Sequence, residues 1–407
     1  MSADPSPFTI DLDRAVLALS QALDYIGVDE TGHGCRVGLM AAEIARQAGW
    51  DDGEVREVLR AGLLHDCGVS STREHKMLIG DVDWSGAQAH CERGFAYLSE
   101  VPLLAHLAPV VLAHHGHWAE MDGGAIPASV ALRANLIFLA DRADAVRARG
   151  VKAGRHVADV LAGYAPTHFA PALFKLFVEL SGHEAFWFMQ DEPSLRERVG
   201  EGLRGGRRVA VDIHGMRALA GMFGRIIDAK SPFTERHSQG VARVARRLGR
   251  LLYLPVATLD MLEIAGLLHD LGKLRIPDEV LEKPEPLSPD ERHAMARHAF
   301  DTWEILGHVF GDCPLVAWAA YHHEAVVGNG YPFHREGDGL SEEARVIAVA
   351  DVFQALSQDR PYRRALGVAE AVPVLEGMVL SGRLDGGVVA AAIADIDTLW
   401  RLASGGE

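Results

Sequence analysis

The strongest constraint on this chain is a pattern of histidines and aspartates that occurs twice in the same order. The first copy runs His33, His65-Asp66, His90, His114-His115, Asp141; the second runs His237, His269-Asp270, His298, His322-His323, Asp351. The step from the first His to the His-Asp pair is 32 residues in both copies (33 to 65, 237 to 269). The step from the single His to the His-His pair is 24 in both (90 to 114, 298 to 322). The two other steps differ by 4 and 2 residues, as loop-length changes would produce. Flanking text repeats too: AGLLHDCG against AGLLHDLG, and FLADRADA against AVADVFQA. The period is far longer than the roughly 20–50 residues of a solenoid unit, so it specifies two copies of one domain. At 407 residues and 48% hydrophobic, the chain can give each copy its own core.

The expected boundaries are 1–190 for an N-terminal domain, 191–215 for a linker and 216–407 for a C-terminal domain. The connecting stretch DEPSLRERVGEGLRGGRRVAVD is rich in charge and glycine, which suits a linker or an exposed connecting helix. The apolar-periodic stretch from Met216 to Ile227 is the expected first helix of the second copy. The fold class expected is all-α, two tandem helical domains, because apolar residues recur at helical spacing and no run of alternating strands occurs. Ser288-Pro289-Asp290-Glu291 is a capping box with proline at the first helical position, opening the helix that carries His298. Pro314 opens the helix leading to His322-His323, and Ser341 before Glu342-Glu343 starts the one carrying Asp351. Gly68 and Gly272 are expected to end the His-Asp helices.

A net charge of −16 argues against general binding of DNA or RNA backbone, although a local positive site can still take a small anion. The polar, acidic start MSADPSPFTIDLD does not resemble a signal peptide, and no apolar stretch is long enough to span a bilayer. A soluble, cytoplasmic protein is expected. Cys35, Cys67, Cys91 and Cys313 form no CxxC pair. Three of them lie close in sequence to the repeated His and Asp residues, which suits either a redox-sensitive site or, the reading favoured, small buried side chains.

Asp351 lies among Val349, Ala350, Val352 and Phe353, and Asp141 has a similar setting. A carboxylate on a buried helix is costly unless paired or bound to metal. One such Asp alone would be read as hydrogen-bonded to a core His. The pattern, however, uses 5 His in each copy, half of the 20 in the chain. Seven imidazole and carboxylate ligands per copy exceed the needs of one four-coordinate ion and suit two transition-metal ions with open positions. Iron and manganese both suit such a set.

His, His-Asp, His, His-His and Asp on consecutive helices resemble the HD superfamily of metal-dependent phosphohydrolases. The second copy adds HDLGK at 269–273, HHEAVVGNGYP at 322–332 and ADVFQALSQDRPYR at 350–363. These resemble the signatures of the HD-GYP family, bacterial cyclic di-GMP phosphodiesterases and their relatives, some of which prefer mixed cyclic GMP–AMP. The resemblance implies that the second copy is a metal-dependent hydrolase of a cyclic dinucleotide, giving a linear dinucleotide or mononucleotides. It implies metal ligation by His237, His269, Asp270, His298, His322, His323 and Asp351, with Asp270 bridging. It implies a catalytic role for Asp270 and Lys273, and substrate contacts from Lys273, Tyr331, Arg360 and Arg363. Some members hold a third metal through an acid four residues before the first His; Phe233 stands there, with Glu235 off that spacing, so two metals are expected. Val327 departs from the Asp that the family often has before its Gly-Tyr-Pro stretch, and FHREGDGLSEEAR lacks the usual Ile-Pro-Leu.

The first copy keeps all seven ligand types (His33, His65, Asp66, His90, His114, His115, Asp141) as a second candidate metal site. Val69 replaces the lysine, HHGHWAEMDGGAIP replaces the GYP stretch, and Gly150 stands in the place of Arg360. Asp29, four residues before His33, could join a site there, though a solvated acid is the favoured reading. This copy is expected to be regulatory, or a second phosphohydrolase. Two further readings compete: a non-catalytic cyclic-dinucleotide receptor, and a di-iron oxygenase activity in the first copy. Beyond a cyclic dinucleotide, a diguanylate-cyclase-type or regulatory protein or a second copy of the chain are the partners considered.

Overall fold

A computed structural model of the chain describes residues 8–24, 32–121, 123–124, 126–150, 155–204, 208–231, 236–359 and 363–405. Phe233, Glu235, Asp29 and Arg360 lie outside the described residues, and so do the readings placed on them. The described chain is helical apart from a two-stranded sheet, Phe8–Asp11 beside Arg208–Val211, and one isolated bridge, Val327 to Glu336. It divides into two compact units, Asp11–Arg208 and Val209–Glu407, the latter including the strand residues up to Ile10. No described helix is long and apolar enough to cross a membrane.

The stretch expected to be a linker is largely built into structure. Helix Ser194–Leu203 packs on helices His33–Gln47 and Asp52–Leu64, burying Leu195, Val199 and Leu203. The next helix starts at Ile213 rather than Met216, because Asp212 accepts from the Gly215 backbone N–H and caps it. The apolar residues every three or four positions in the connecting stretch are the cause: they form a buried face.

Each unit is organised on one tight helix pair. His33–Gln47 lies against Asp52–Leu64, and His237–Leu251 against Val256–Leu268. A Cβ on Gly62 would sit 2.5 Å from the Gly38 Cα, and one on Gly266 would sit 2.7 Å from the Ala242 Cα. The repeated Ala-Gly-Leu-Leu text is therefore a close backbone crossing. It brings the His-Asp pair at the end of the second helix beside the histidine that begins the first.

Gly68 and Gly272 do not end those helices by a left-handed cap, as expected. The helices end at Leu64 and Leu268, with His65 and His269 in right-handed cap positions. The glycines serve a close approach instead: a Cβ on either would lie 2.0 Å from the His90 carbonyl oxygen or 2.1 Å from that of His298. The Ser288–Glu291 capping box, Pro289 at the first position and the Ser341 cap form as expected. Asp141 and Asp351 sit on helices Ala128–Ala148 and Glu342–Leu356, whose residues are buried on nearly every side.

Candidate metal centre

In the second unit, all seven of the expected ligand residues converge. His237, His269 and Asp351 form one triad and His298, His322 and His323 another, with the ligand atoms of each within 4.8 Å of one another. Asp270 lies between them. Its Oδ2 faces His269 Nε2 at 3.2 Å and His237 Nε2 at 3.6 Å. Its Oδ1 faces His298 Nε2 at 3.5 Å and His322 Nε2 at 3.6 Å. Asp351 Oδ1 completes the first triad, 3.3 Å from His237 Nε2 and 3.7 Å from His269 Nε2. One carboxylate thus presents one oxygen to each group of histidines.

The far nitrogens are fixed by backbone carbonyls three residues earlier in the chain. Nδ1 of His269, His298 and His322 donates to the carbonyls of Gly266, Met295 and Ala319, at 2.8, 2.6 and 2.7 Å. That turns each Nε2 inward, the orientation a metal-ligating imidazole takes. His269 Nε2 and Asp270 Oδ1 are buried and make no hydrogen bond among the described residues. Such atoms are costly unless a cation meets them.

The charges agree. Burial lowers His298 to about 4 and His322 to about 3, and it holds His323 well below the usual imidazole range, so all three are neutral. Burial opposes the charge on His269 too, but Asp270 and Asp351 outweigh it and raise this histidine to about 10. Against the penalty of burial, Asp270 and Asp351 are held well below the usual carboxylate range by His269 and His237, with Lys273 aiding Asp270. Two buried carboxylates therefore require positive charge at this spot, which the donor set fits divalent ions to supply.

Lys273 Nζ donates to Asp270 Oδ2 at 2.5 Å, at the edge of the cluster. The Tyr331 ring lies 4.8 Å from His323, and burial pushes its hydroxyl upward. Buried Glu324 was quoted within the histidine motif but given no role. It accepts from the N–H groups of Phe333 and Arg335 at 2.7 and 2.9 Å and pins the Gly-Tyr-Pro loop. A Cβ on Gly330 would lie 2.4 Å from the Ala325 nitrogen, so only glycine allows that approach. Arg363 departs from expectation. Its guanidinium donates to the carbonyls of Ala355, Leu356 and Arg364, capping the end of the helix that bears Asp351 rather than reaching the histidines.

Each ligand cluster also rests on an acid that sequence reasoning passed over. Asp24 accepts from the N–H groups of Gly32 and Gly34, and Asp228 from the N–H and hydroxyl of Ser238. Each stands nine residues before the leading histidine of its copy (24 to 33, 228 to 237), a matched gap that was legible. Both anchor the start of the helix that opens with that histidine.

The first unit repeats the arrangement. Asp66 Oδ2 faces His33 and His65 at 3.6 and 3.3 Å, and its Oδ1 faces His90 and His114 at 3.3 and 3.9 Å. His115 and Asp141 complete it, 3.8 Å apart. The four cysteines are free; Cys35, Cys67 and Cys91 are buried, and Cys91 Sγ lies 3.6 Å from His114 Nδ1.

Paired helical domains, each closing a helix with His-Asp at the centre of a histidine cluster, define HD-type metal-dependent phosphohydrolases. Models of the HD domain match residues 31–146 and 221–388. The 3'3'-cGAMP-specific phosphodiesterase 1 of Vibrio cholerae is 34% identical over 406 residues, covering 97% of this chain and 94% of that protein. The cyclic di-GMP phosphodiesterase response regulator RpfG of Xanthomonas campestris is 40% identical over 36% of this chain and 38% of its own length. The crystal structure of a cyclic GMP-AMP specific phosphodiesterase of V. cholerae, V-cGAP3, shares the fold with a TM-score of 0.66 at 24% identity, covering 96% of this chain and 98% of that one. The chain belongs to the HD-GYP family, with an additional HD domain before the HD-GYP domain.

Proposed function

We propose that the C-terminal centre holds two iron or manganese ions and hydrolyses a phosphodiester bond of a bacterial cyclic dinucleotide, 3',3'-cyclic GMP–AMP before cyclic di-GMP. The observation that carries this reading is the division of Asp270: one oxygen to His237 and His269, the other to His298 and His322. The preference for the mixed dinucleotide rests on the relative that spans both domains being named for it.

His237, His269 and Asp351 would hold one ion, His298, His322 and His323 the other, and Asp270 both. Bound there, such ions supply Lewis acidity to phosphoryl oxygens and lower the pKa of water. Lys273 places its Nζ beside Asp270, where it would offset charge developing on a transferring phosphoryl group. Glu324 holds Tyr331 over His323 as one wall of the substrate pocket. In the first unit Val69 stands where Lys273 would, so we assign that copy a regulatory role. Linear product from full-length protein of counted metal content, offered both dinucleotides, is the test. Asp270→Ala should lower turnover at least about 10³-fold. Undiminished turnover would overturn the proposal, and tight binding without any turnover would make the protein a receptor.

A further inference from the structure

One metal-ligating cluster of the N-terminal unit belongs to neither copy of the repeat. Asp83 lies in the loop after helix Thr72–Gly80, His117 two residues beyond His115, and His168 at the end of the short helix Ala165–His168. His117 Nε2 is 2.9 Å from Asp83 Oδ1, and His168 Nε2 is 3.5 Å from Asp83 Oδ2. The two imidazoles stack with centroids 3.9 Å apart and planes 25° from parallel, so both Nε2 edges meet one carboxylate.

A simple His–Asp hydrogen bond accounts for His117 but not for His168. That residue is 8% exposed, and its Nε2 makes no hydrogen bond among the described residues. Its other ring nitrogen lies 2.8 Å from Thr167 Oγ1, which fixes the ring with Nε2 toward Asp83. Its backbone is held as well: buried Asn135 donates to the His168 carbonyl and accepts from the Ala170 N–H, each at 2.7 Å. Ligand atoms on a tetrahedral zinc, bonded at about 2.0–2.1 Å, stand roughly 3.3 Å apart; here one ligand atom from each of the three residues lies within 4.8 Å of the others. We propose that Asp83, His117 and His168 form a separate site for a zinc-like divalent ion, with a further position open to solvent. Asp83, with 52% of its side chain exposed, leaves that position accessible. The ion ties two loops of the first domain to the short helix Ala165–His168. The second copy has no counterpart, because Ala325 stands where the spacing from the His-His pair would put His117.

Full-length wild type, Asp83→Asn and His117→Gln, preloaded with manganese, are dialysed against equal free zinc and both metals are counted. The wild type should hold one more zinc per chain than either variant, and zinc should raise its Tm more than theirs. Both substitutions are at partly exposed positions, and circular dichroism reports whether each variant folds. Equal zinc content with equal Tm shifts would overturn the proposal. A zinc deficit in the folded variants that leaves manganese unchanged would support it.

Discussion

In the first copy Asp141 is gripped by buried Arg142, whose Nη2 donates to its Oδ2 at 2.7 Å while Nη1 donates to the carbonyls of Leu78 and Asp81. In the second copy Val352 occupies that position; in both copies the aspartate Oδ1 faces the leading histidine, Asp141 to His33 at 3.5 Å and Asp351 to His237 at 3.3 Å. The leading histidines differ in the same way. His33 Nδ1 meets Asp144, itself held bidentately by Arg36, and these contacts outweigh burial to raise His33 to about 9. The corresponding residues in the second copy are Gln354 and Gly240, packed so closely that a Cβ on the glycine would lie 2.4 Å from the Gln354 side chain. The two centres share their ligands and differ in what touches those ligands. Glycine crossings position the seven side chains in both copies. The charges behind them differ: in the first copy Arg142 and Arg36 hold Asp141 and Asp144, and in the second Val352 and Gly240 stand at those arginine positions.

The largest effect expected from this contrast is between paired substitutions. Asp270→Ala should abolish dinucleotide hydrolysis, whereas Asp66→Ala should leave it within about threefold, since binding energy lost in one domain does not reach a site that shares no partners with it. Equal losses in the two variants would mean that the copies work as one centre. Next come exchanges between the copies. Val352→Arg places a guanidinium on Asp351 as Arg142 does on Asp141, and Lys273→Val copies Val69. Each should cost roughly 10²–10³-fold in kcat, the scale of losing one preorganised electrostatic group. The first should also lower metal content, and the second should not; metal analysis beside steady-state kinetics separates them.

The smallest effect is on pH-dependent stability. Burial raises Asp228 to about 7, Ser238 only partly offsetting it. The folded chain therefore keeps this proton up to that pH, while the unfolded chain releases it near the ordinary Asp value of about 3.9. Stability falls as pH rises across this window. The Tm of Asp228→Asn, measured relative to wild type, should climb between pH 5 and pH 7.5. Parallel Tm profiles would show that Asp228 is ionised in the folded protein.

The convergence of the repeated histidines and aspartates was legible because side chains that meet from several helices fix residue spacing, and here the spacing is printed twice. The capping signals were legible because Ser288 and Ser341 act on backbone within their own turn. What escaped depends on tertiary contact. Helix Ser194–Leu203 reads as a linker or an exposed connecting helix, and its buried face was hidden because its apolar residues are few among charges. Arg363 looked like a phosphate ligand because nothing local shows it folding back on Ala355. Asp83, His117 and His168 had no repeated partner to mark them.

The central claim is that Asp270 joins two ions with one oxygen each. Anomalous diffraction from crystals of the metal-loaded full chain tests it most directly. Two peaks are expected in the C-terminal centre, one beside His237 and His269 and one beside His298, His322 and His323, each within bonding distance of a different Asp270 oxygen. A single peak, or two peaks that both lie away from Asp270, would contradict the account.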